Sequence, residues 1–414
     1  MDATDKVQNN LILGLLGLDT YYENPFVNQA GAIVNVVLSG TSLPENIGQQ
    51  DGISVDTHSG RFSTMAVDTT GLAWLAQHHE IEWIEAKPVF EIFNSEGIEV
   101  MHVDDLWDGT IMSNIDSGWS GLDGSGIIVT VADTGLDNGV NNSAMHPDFK
   151  DHIKGILSFA PPASTCTYYG LSPCGDSAED FHGHGTHVAG SVLGDGTHSN
   201  GAIEGAASES QLLFQAIATT QGGEEKLLGI PNDLDDMFSL GWDNGSRIHT
   251  NSWGSAENGA YTTSSMQADS SARTYDELVI LFAAANEGVD ANSDGEIDLD
   301  SLGSPASAKN VITVGASEND RSNLNYLWGS TDYGSPISTD KLADNPDGMA
   351  AFSSRGPTDD SRIKPDISAP GTFILSTKSR STSDTGWLAY NASYTYMGGT
   401  SMATPLTAGA TALL

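Results

Sequence analysis

Basic side chains are scarce in this 414-residue sequence: 16 Lys and Arg stand against 55 Asp and Glu, a formal net charge of -39. A field of that sign repels phosphate backbones and anionic lipid surfaces, which excludes nucleic-acid binding and argues against a membrane partner. It suits salty surroundings, where screening removes self-repulsion, and it attracts divalent cations. Apolar runs of about 18 residues are missing, so no membrane span is expected. The stretch "LILGLLGL" has the length of a signal-peptide core, but it follows the acidic "MDATDKVQNN", where a signal carries positive charge, so no convincing signal peptide is present. Cysteine is nearly absent. Cys166 and Cys174, in "STCTYYGLSPCGD", are close enough to bridge or to remain two free thiols, and a disulfide is the expectation in an extracellular setting.

What is present suffices for a large buried core. Within residues 1–100, "GAIVNVVLSG" and "RFSTMAVD" read as strands, "TTGLAWLAQHH" as a helix, and "IEWIEAKPVFEIFN" as a strand with an extended tail. This is a small α+β unit without chemistry of its own. Residues 101–414 form the second unit. It stops at "TAGATALL", inside an apolar helix without a cap, which reads as a truncation at the C-terminus.

From about residue 125, β-branched runs alternate with glycine-bounded helical segments: "GIIVTVADTG", "QLLFQAIATT", "RIHTNSWG", "LVILFAAAN" and "NVITVGA". Near-continuous apolar strands separated by helices predict an α/β fold with a mostly parallel sheet covered on both faces. Ligands of such folds sit at the carboxyl ends of the strands, where Asp133, Ser252 and Asn286 fall. No GxGxxG opens the first helix, so a dinucleotide is not expected.

The stretch "FHGHGTHVAG" carries His182, His184 and His187. Alternating His and Gly would suit a zinc or copper loop, and equally a single general base. The wider sequence bears on the choice. Asp133 ends a strand in "VADTGLD", His184 opens a helix, and Ser401 follows Gly398 and Gly399 in "MGGTSMATP". A serine hydroxyl needs an imidazole to take its proton and a carboxylate to hold that imidazole in the right tautomer. Paired glycines let substrate approach the backbone, and a helix N-terminus favours developing negative charge.

These segments resemble the three signature segments of the subtilisin-like serine proteases (subtilases, peptidase family S8), in the family's order of Asp, His and Ser. The resemblance runs from about residue 100 to the end, and "RIHTNSWG", "FSSRGPTDDSRIKPDISAPGTFI" and "YMGGTSMATP" look closest to the oxidatively stable alkaline subtilases. It implies a secreted, extracellular serine endopeptidase acting on protein or peptide substrates. Asp133 would orient, His184 would act as base and then acid, and Ser401 would be the nucleophile. His187 would be structural, and His182 lies outside the motif. Asn286 in "FAAANEG" would supply an oxyanion donor, although Ala285 stands where the family usually has Gly. Ser252, Trp253, Gly254, Ala283, Ala284 and Gly303 would line the substrate cleft, Trp253 replacing a smaller apolar residue. Met402, beside the nucleophile, would be the peroxide target.

The resemblance also implies that residues 1–100 are a prodomain that assists folding and inhibits intramolecularly by leaving its tail in the cleft, with cleavage between about Asn94 and Asp104; the competing reading is a permanent accessory domain. Independently, "DANSDGEIDLDS" places Asp290, Asn292, Asp294, Glu296 and Asp298 on alternate residues with Gly295 at the turn, the front of a calcium loop. Its twelfth position is Ser301, where a bidentate Glu belongs, and Asp300 is a nearby substitute. Structural calcium is the cofactor expectation. The competing readings are a catalytically silent relative acting as a binding module, which leaves an intact triad unexplained, and a metal-binding protein, which leaves "GGTSMATP" unexplained.

Overall fold

A computed structural model describes residues 7, 27–28, 31–86, 91–92, 99–107, 121–171, 175–221, 224–329 and 331–414. The apolar stretch 11–18, Cys174 and residues 94–98 of the expected cleavage region lie outside the described residues. Glu99–Met101, within that region, forms a short 3-10 turn.

The larger unit is built on seven parallel strands in the spatial order Ile367–Pro370, Ile312–Ser317, Val279–Ala283, Ile248–Asn251, Ile128–Asp133, Gln211–Ala216 and Ile153–Ser158. Side chains alternate across the pleat. Val129, Val131, Phe214, Leu281 and Val314 join one buried cluster with Val188, Val192, Met402 and Ala408, from helices His184–Leu193 and Thr400–Ala412. Ala132, Ile280 and Phe282 face a second cluster with Met237, Phe238 and Ala268, from helices Asp235–Asp243 and Thr263–Thr274. Helices therefore cover both faces, as the sequence implies. The edge strands Ile153–Ser158 and Ile367–Pro370 were not anticipated. They are partly exposed and lack the continuous apolar run that marks an inner strand.

Helix Thr400–Ala412 is buried along most of its length despite its threonines. The hydroxyls of Thr404, Thr407 and Thr411 donate back to the carbonyls four residues earlier, which removes the cost of burying them.

The N-terminal unit is an antiparallel sheet. Gly31–Leu38 lies between Phe62–Val67 and Ile81–Ala86, and Ile53–Ser59 pairs with the outer side of Phe62–Val67. Helix Thr69–Gln77 starts where the Asp68 carboxylate accepts from the backbone N–H groups of Thr70 and Gly71. Val34, Val36, Leu38, Met65, Leu75, Ile81 and Ile84 form its core. The strand Ile53–Ser59 was also missed; "ISVDTHS" is mostly polar and largely exposed.

The two units touch through polar contacts. Glu85 is buried and both of its oxygens accept from the Thr263 N–H, at 2.9 and 3.1 Å, at the start of helix Thr263–Thr274. Asp56 accepts from Ser164 N at 3.2 Å, and Asn232 Nδ2 donates to Thr57 Oγ1 at 2.9 Å. Farther along the tail, Glu91–Ile92 forms an antiparallel pair with Trp253–Gly254. Cys166 is disulfide-bonded, and the chain holds one other cysteine, Cys174.

Candidate active site

Three neighbouring strands of the sheet bring the polar residues to one edge. Asn251 lies level with Ala132 on one side and Phe282 on the other, so Ser252, Asp133 and Ala283 emerge side by side at the carboxyl end. Asp133 is buried, and its Oδ1 accepts from His184 Nδ1 at 2.5 Å and from Thr134 N at 2.7 Å. That bond places the proton on Nδ1 and leaves Nε2 as the basic nitrogen.

Asp180, which sequence reasoning did not single out, ties this pair together. Its Oδ1 accepts from Thr134 Oγ1 and Gly183 N, both at 2.8 Å, and its Oδ2 accepts from Thr186 N at 2.8 Å and Thr186 Oγ1 at 2.5 Å. One carboxylate thus holds the residue after Asp133 and the residues flanking His184. Burial pushes its pKa up to about 6 against the opposing effect of these hydrogen bonds. The available signal was an acidic residue one helical turn before the motif histidine.

The other two histidines separate. His187 is buried and Nε2 lies 3.1 Å from the Thr395 carbonyl, with burial pulling its pKa down to about 3, so it is neutral packing. The His182 ring lies 6.0 Å from that of His184, edge to face, and burial lowers its pKa as well. Among the described residues, no three His, Cys, Asp or Glu side chains gather to hold a metal ion, and the metal reading of the trio has no geometric support.

Ser401 is buried in the first turn of its helix. Its hydroxyl donates to the Ser252 carbonyl at 2.8 Å, and Ser252 Oγ donates to the Ser401 carbonyl at 2.5 Å. Asn286 is oriented by the residue before Ser401. Its Oδ1 accepts from Thr400 N at 2.9 Å and from Thr400 Oγ1 at 3.0 Å. With the oxygen so engaged, the orientation of the amide is fixed and Nδ2 is its donor. Ala285 has a φ of 90°, the left-handed side of backbone space, which accounts physically for a glycine preference at this position.

Of the remaining cleft candidates, Gly254, Ala283, Ala284 and Gly303 are buried along the loop and strand ends beside Ser252. A Cβ on Gly254 would come within 2.8 Å of the Ser304 carbonyl, and one on Gly303 within 2.9 Å of the Ser255 carbonyl, so the two segments are in close contact. The Trp253 side chain is buried: its Nε1 donates to the Ala132 carbonyl at 3.1 Å and its ring meets Phe282 edge to face at 5.2 Å. Met402 is fully buried.

The acidic loop is folded on its own backbone. Asp290 accepts from the N–H groups of Asp294, Gly295 and Gly334, Asn292 and Asp294 accept from Asp294 and Glu296, and Asp298 accepts from Ala291. Burial raises the Asp290 pKa, but these donors outweigh it and hold the carboxyl below its usual range. Ser301 Oγ accepts from Arg355 N at 3.0 Å. As placed, these side chains form turns, not a metal cage.

Comparisons with known proteins bear on the fold and the family. A Dictyostelium discoideum serine protease/ABC transporter B family protein, tagD, is 28% identical over 87% of this chain, but the chain spans only 22% of that protein's length. The serine protease AprX of Bacillus subtilis is 30% identical over 71% of this chain and 58% of its own. The S393A mutant of the epidermin leader peptide processing serine protease from Staphylococcus aureus superposes with a TM-score of 0.58 at 17% identity, covering 93% of this chain and 88% of that one, which establishes the fold. Residues 124–414, more than half the chain, match the Subtilase family, and they include Asp133, His184, Asn286 and Ser401. The chain belongs to the subtilase family.

Proposed function

We propose that the chain is a serine endopeptidase in which Asp133, His184 and Ser401 form the triad and Asn286 completes the oxyanion hole. The observation that carries this reading is the 2.5 Å bond from His184 Nδ1 to Asp133 at the carboxyl edge of the sheet, beside the helix that begins with Thr400 and Ser401. Substrate binding would turn the Ser401 hydroxyl from the Ser252 carbonyl toward His184 Nε2, which takes its proton as Oγ adds to the scissile carbonyl. The oxyanion would be met by the Ser401 N–H and Asn286 Nδ2, and His184 would then pass the proton to the leaving amine. Water repeats the sequence on the acyl-enzyme. Ser401→Ala should abolish hydrolysis of denatured casein; hydrolysis at the parent rate would refute the assignment.

The chain would be made as a zymogen. Residues 1–100 would act as the prodomain, and the antiparallel pairing of Glu91–Ile92 with Trp253–Gly254 supports a tail lying where an extended substrate would add as a strand. The parent protein should release a fragment of about that size on incubation, and the Ser401→Ala protein should not. Work outside the cell is the proposed setting, supported by the disulfide-bonded Cys166, and is tested by fractionating a producing culture.

Membership of the oxidatively stable alkaline subgroup rests on motif similarity, and full burial of Met402 is consistent with slow oxidation. Immediate loss of activity in peroxide would contradict it. Calcium at Asp290, Asn292, Asp294, Glu296 and Asp298 rests on ligand spacing alone and would require those oxygens to turn to a shared centre. An unfolding midpoint identical in EDTA and in millimolar calcium would remove it.

A further inference from the structure

We propose that Trp387 is the platform of a subsite on the leaving-group side of the scissile bond, selecting a large apolar or aromatic residue just past the cleaved peptide. This rests on the protease reading above and concerns the same site. The sequence from Ser379 to Tyr390 is clamped to the segment that presents His184. Ser379 Oγ donates to the Asp180 carbonyl, Ser381 Oγ donates to Glu179, and Arg380 is paired with the buried Asp137 at 2.5 Å. The segment then returns toward the nucleophile: Trp387 N donates to the Tyr396 carbonyl at 2.7 Å, and Leu388–Ala389 pairs with Thr395 and Tyr396 of the strand that leads into Gly398 and Ser401.

The hairpin lays the Trp387 indole on Gly398. A Cβ built there would sit 1.8 Å from the ring, so glycine is the only residue that fits beneath it, three positions before the nucleophile. The ring is rigidly backed. Phe373 meets it edge to face at 5.2 Å and Phe352 at 6.1 Å, and the Phe352 carbonyl accepts from Gly288 N, two residues after Asn286. Even so, 38% of Trp387 is exposed. A large rigid aromatic surface, held at little entropic cost beside a reactive centre, is suited to bind an apolar side chain.

The side of the cleft follows from the two strands involved. The tail residues Glu91–Ile92 lie against Trp253–Gly254, the edge flanked by Ala283 and Gly303. Trp387 is carried instead by Tyr394–Met397, the strand that runs into Gly398 and Ser401, and is backed by Phe352 and Phe373. Acyl-side residues would pair with the first edge, so the leaving side falls to Trp387.

Partition of the acyl-enzyme isolates this subsite. With Ser401 acylated by one peptide ester, equimolar Phe amide and Gly amide compete. The amine nitrogen forms the new C–N bond, the ester C–Oγ bond breaks, and the amine proton passes through His184 to Oγ. The product ratio is taken within each enzyme, so a change in overall rate cancels. The parent protein should favour Phe amide by about tenfold, the size of a good aromatic contact. Trp387→Ala should reduce the ratio to about twofold or less, and Trp387→Phe should fall between. An unchanged ratio in Trp387→Ala, or no preference in the parent, overturns the subsite while leaving the triad standing. Failure of the parent Ser401 to react with a fluorophosphonate overturns the protease reading and the subsite together.

Discussion

Ser252 Oγ donates to the carbonyl of Ser401, the one carbonyl in its helix that Pro405, four residues on and lacking an N–H, cannot satisfy. Ser252 thus repairs a defect that proline introduces in the first turn, and it ties the Ser401 backbone to the neighbouring strand end. Ser252→Ala leaves a buried carbonyl unpaired and should cost about 1–3 kcal/mol, read as a lower urea midpoint with an unchanged slope. Stability equal to the parent would contradict this role.

Ala285 presents the opposite case, a residue that the backbone conformation disfavours. At a φ of 90° its Cβ is strained, and Ala285→Gly relieves that strain while adding freedom to the unfolded chain. The first effect is about 1–2 kcal/mol and the second about 0.5–1 kcal/mol, so the variant should be more stable by up to about 1.5 kcal/mol. A lower thermal midpoint would show that the Cβ contributes packing that outweighs its strain.

The Asn286 amide gains its direction from Thr400. Asn286→Ala should lower kcat on the order of 10²–10³ with little change in KM, since the lost donor acts on the oxyanion and not on bound substrate. Thr400→Val, which keeps the backbone donor and removes the hydroxyl, should lose much less. Equal losses in KM and kcat for Asn286→Ala would place the residue in ground-state binding instead.

Docking of the N-terminal unit should weaken as pH rises. Burial is the main cause raising the Glu85 pKa, against hydrogen bonds from Trp83 and Thr263. Burial followed by the charge of Glu85 pushes Glu257 up to about 7. Carboxyls with raised pKa values bind more protons in the docked state, so their contribution is full below the ordinary value near 4.5 and is lost as pH rises through about 7. Hydrogen exchange in the intact Ser401→Ala protein, corrected for intrinsic rates, should show protection of residues 81–86 falling between pH 5.5 and 8, and Glu257→Gln should flatten that dependence. Protection that rises over this range would reverse the sign.

Much of this arrangement is legible in the sequence because its signals are local. The inner strands carry unbroken apolar runs, and Asp133, His184 and Ser401 each sit in a short motif whose residue types the chemistry demands. What could not be read depends on distance along the chain. Asp180 gains its meaning from Thr134, and Glu85 from Thr263. Trp387 gains its meaning from lying over Gly398, which only the return of the 379–390 hairpin brings about. Beside Ser252 in the sequence, Trp253 suits either a pocket wall or plain packing, and only the fold shows its indole against Phe282. The edge strands were missed because a half-exposed strand does not announce itself by hydrophobicity.

The central claim is that Ser401 is an activated nucleophile dependent on His184. Reaction of the intact protein with a fluorophosphonate probe, followed by peptide mapping, tests it most directly. The account predicts label on Ser401 in the parent and none in His184→Ala. Label on Ser401 at the same rate in both proteins, or label on another residue, would contradict it.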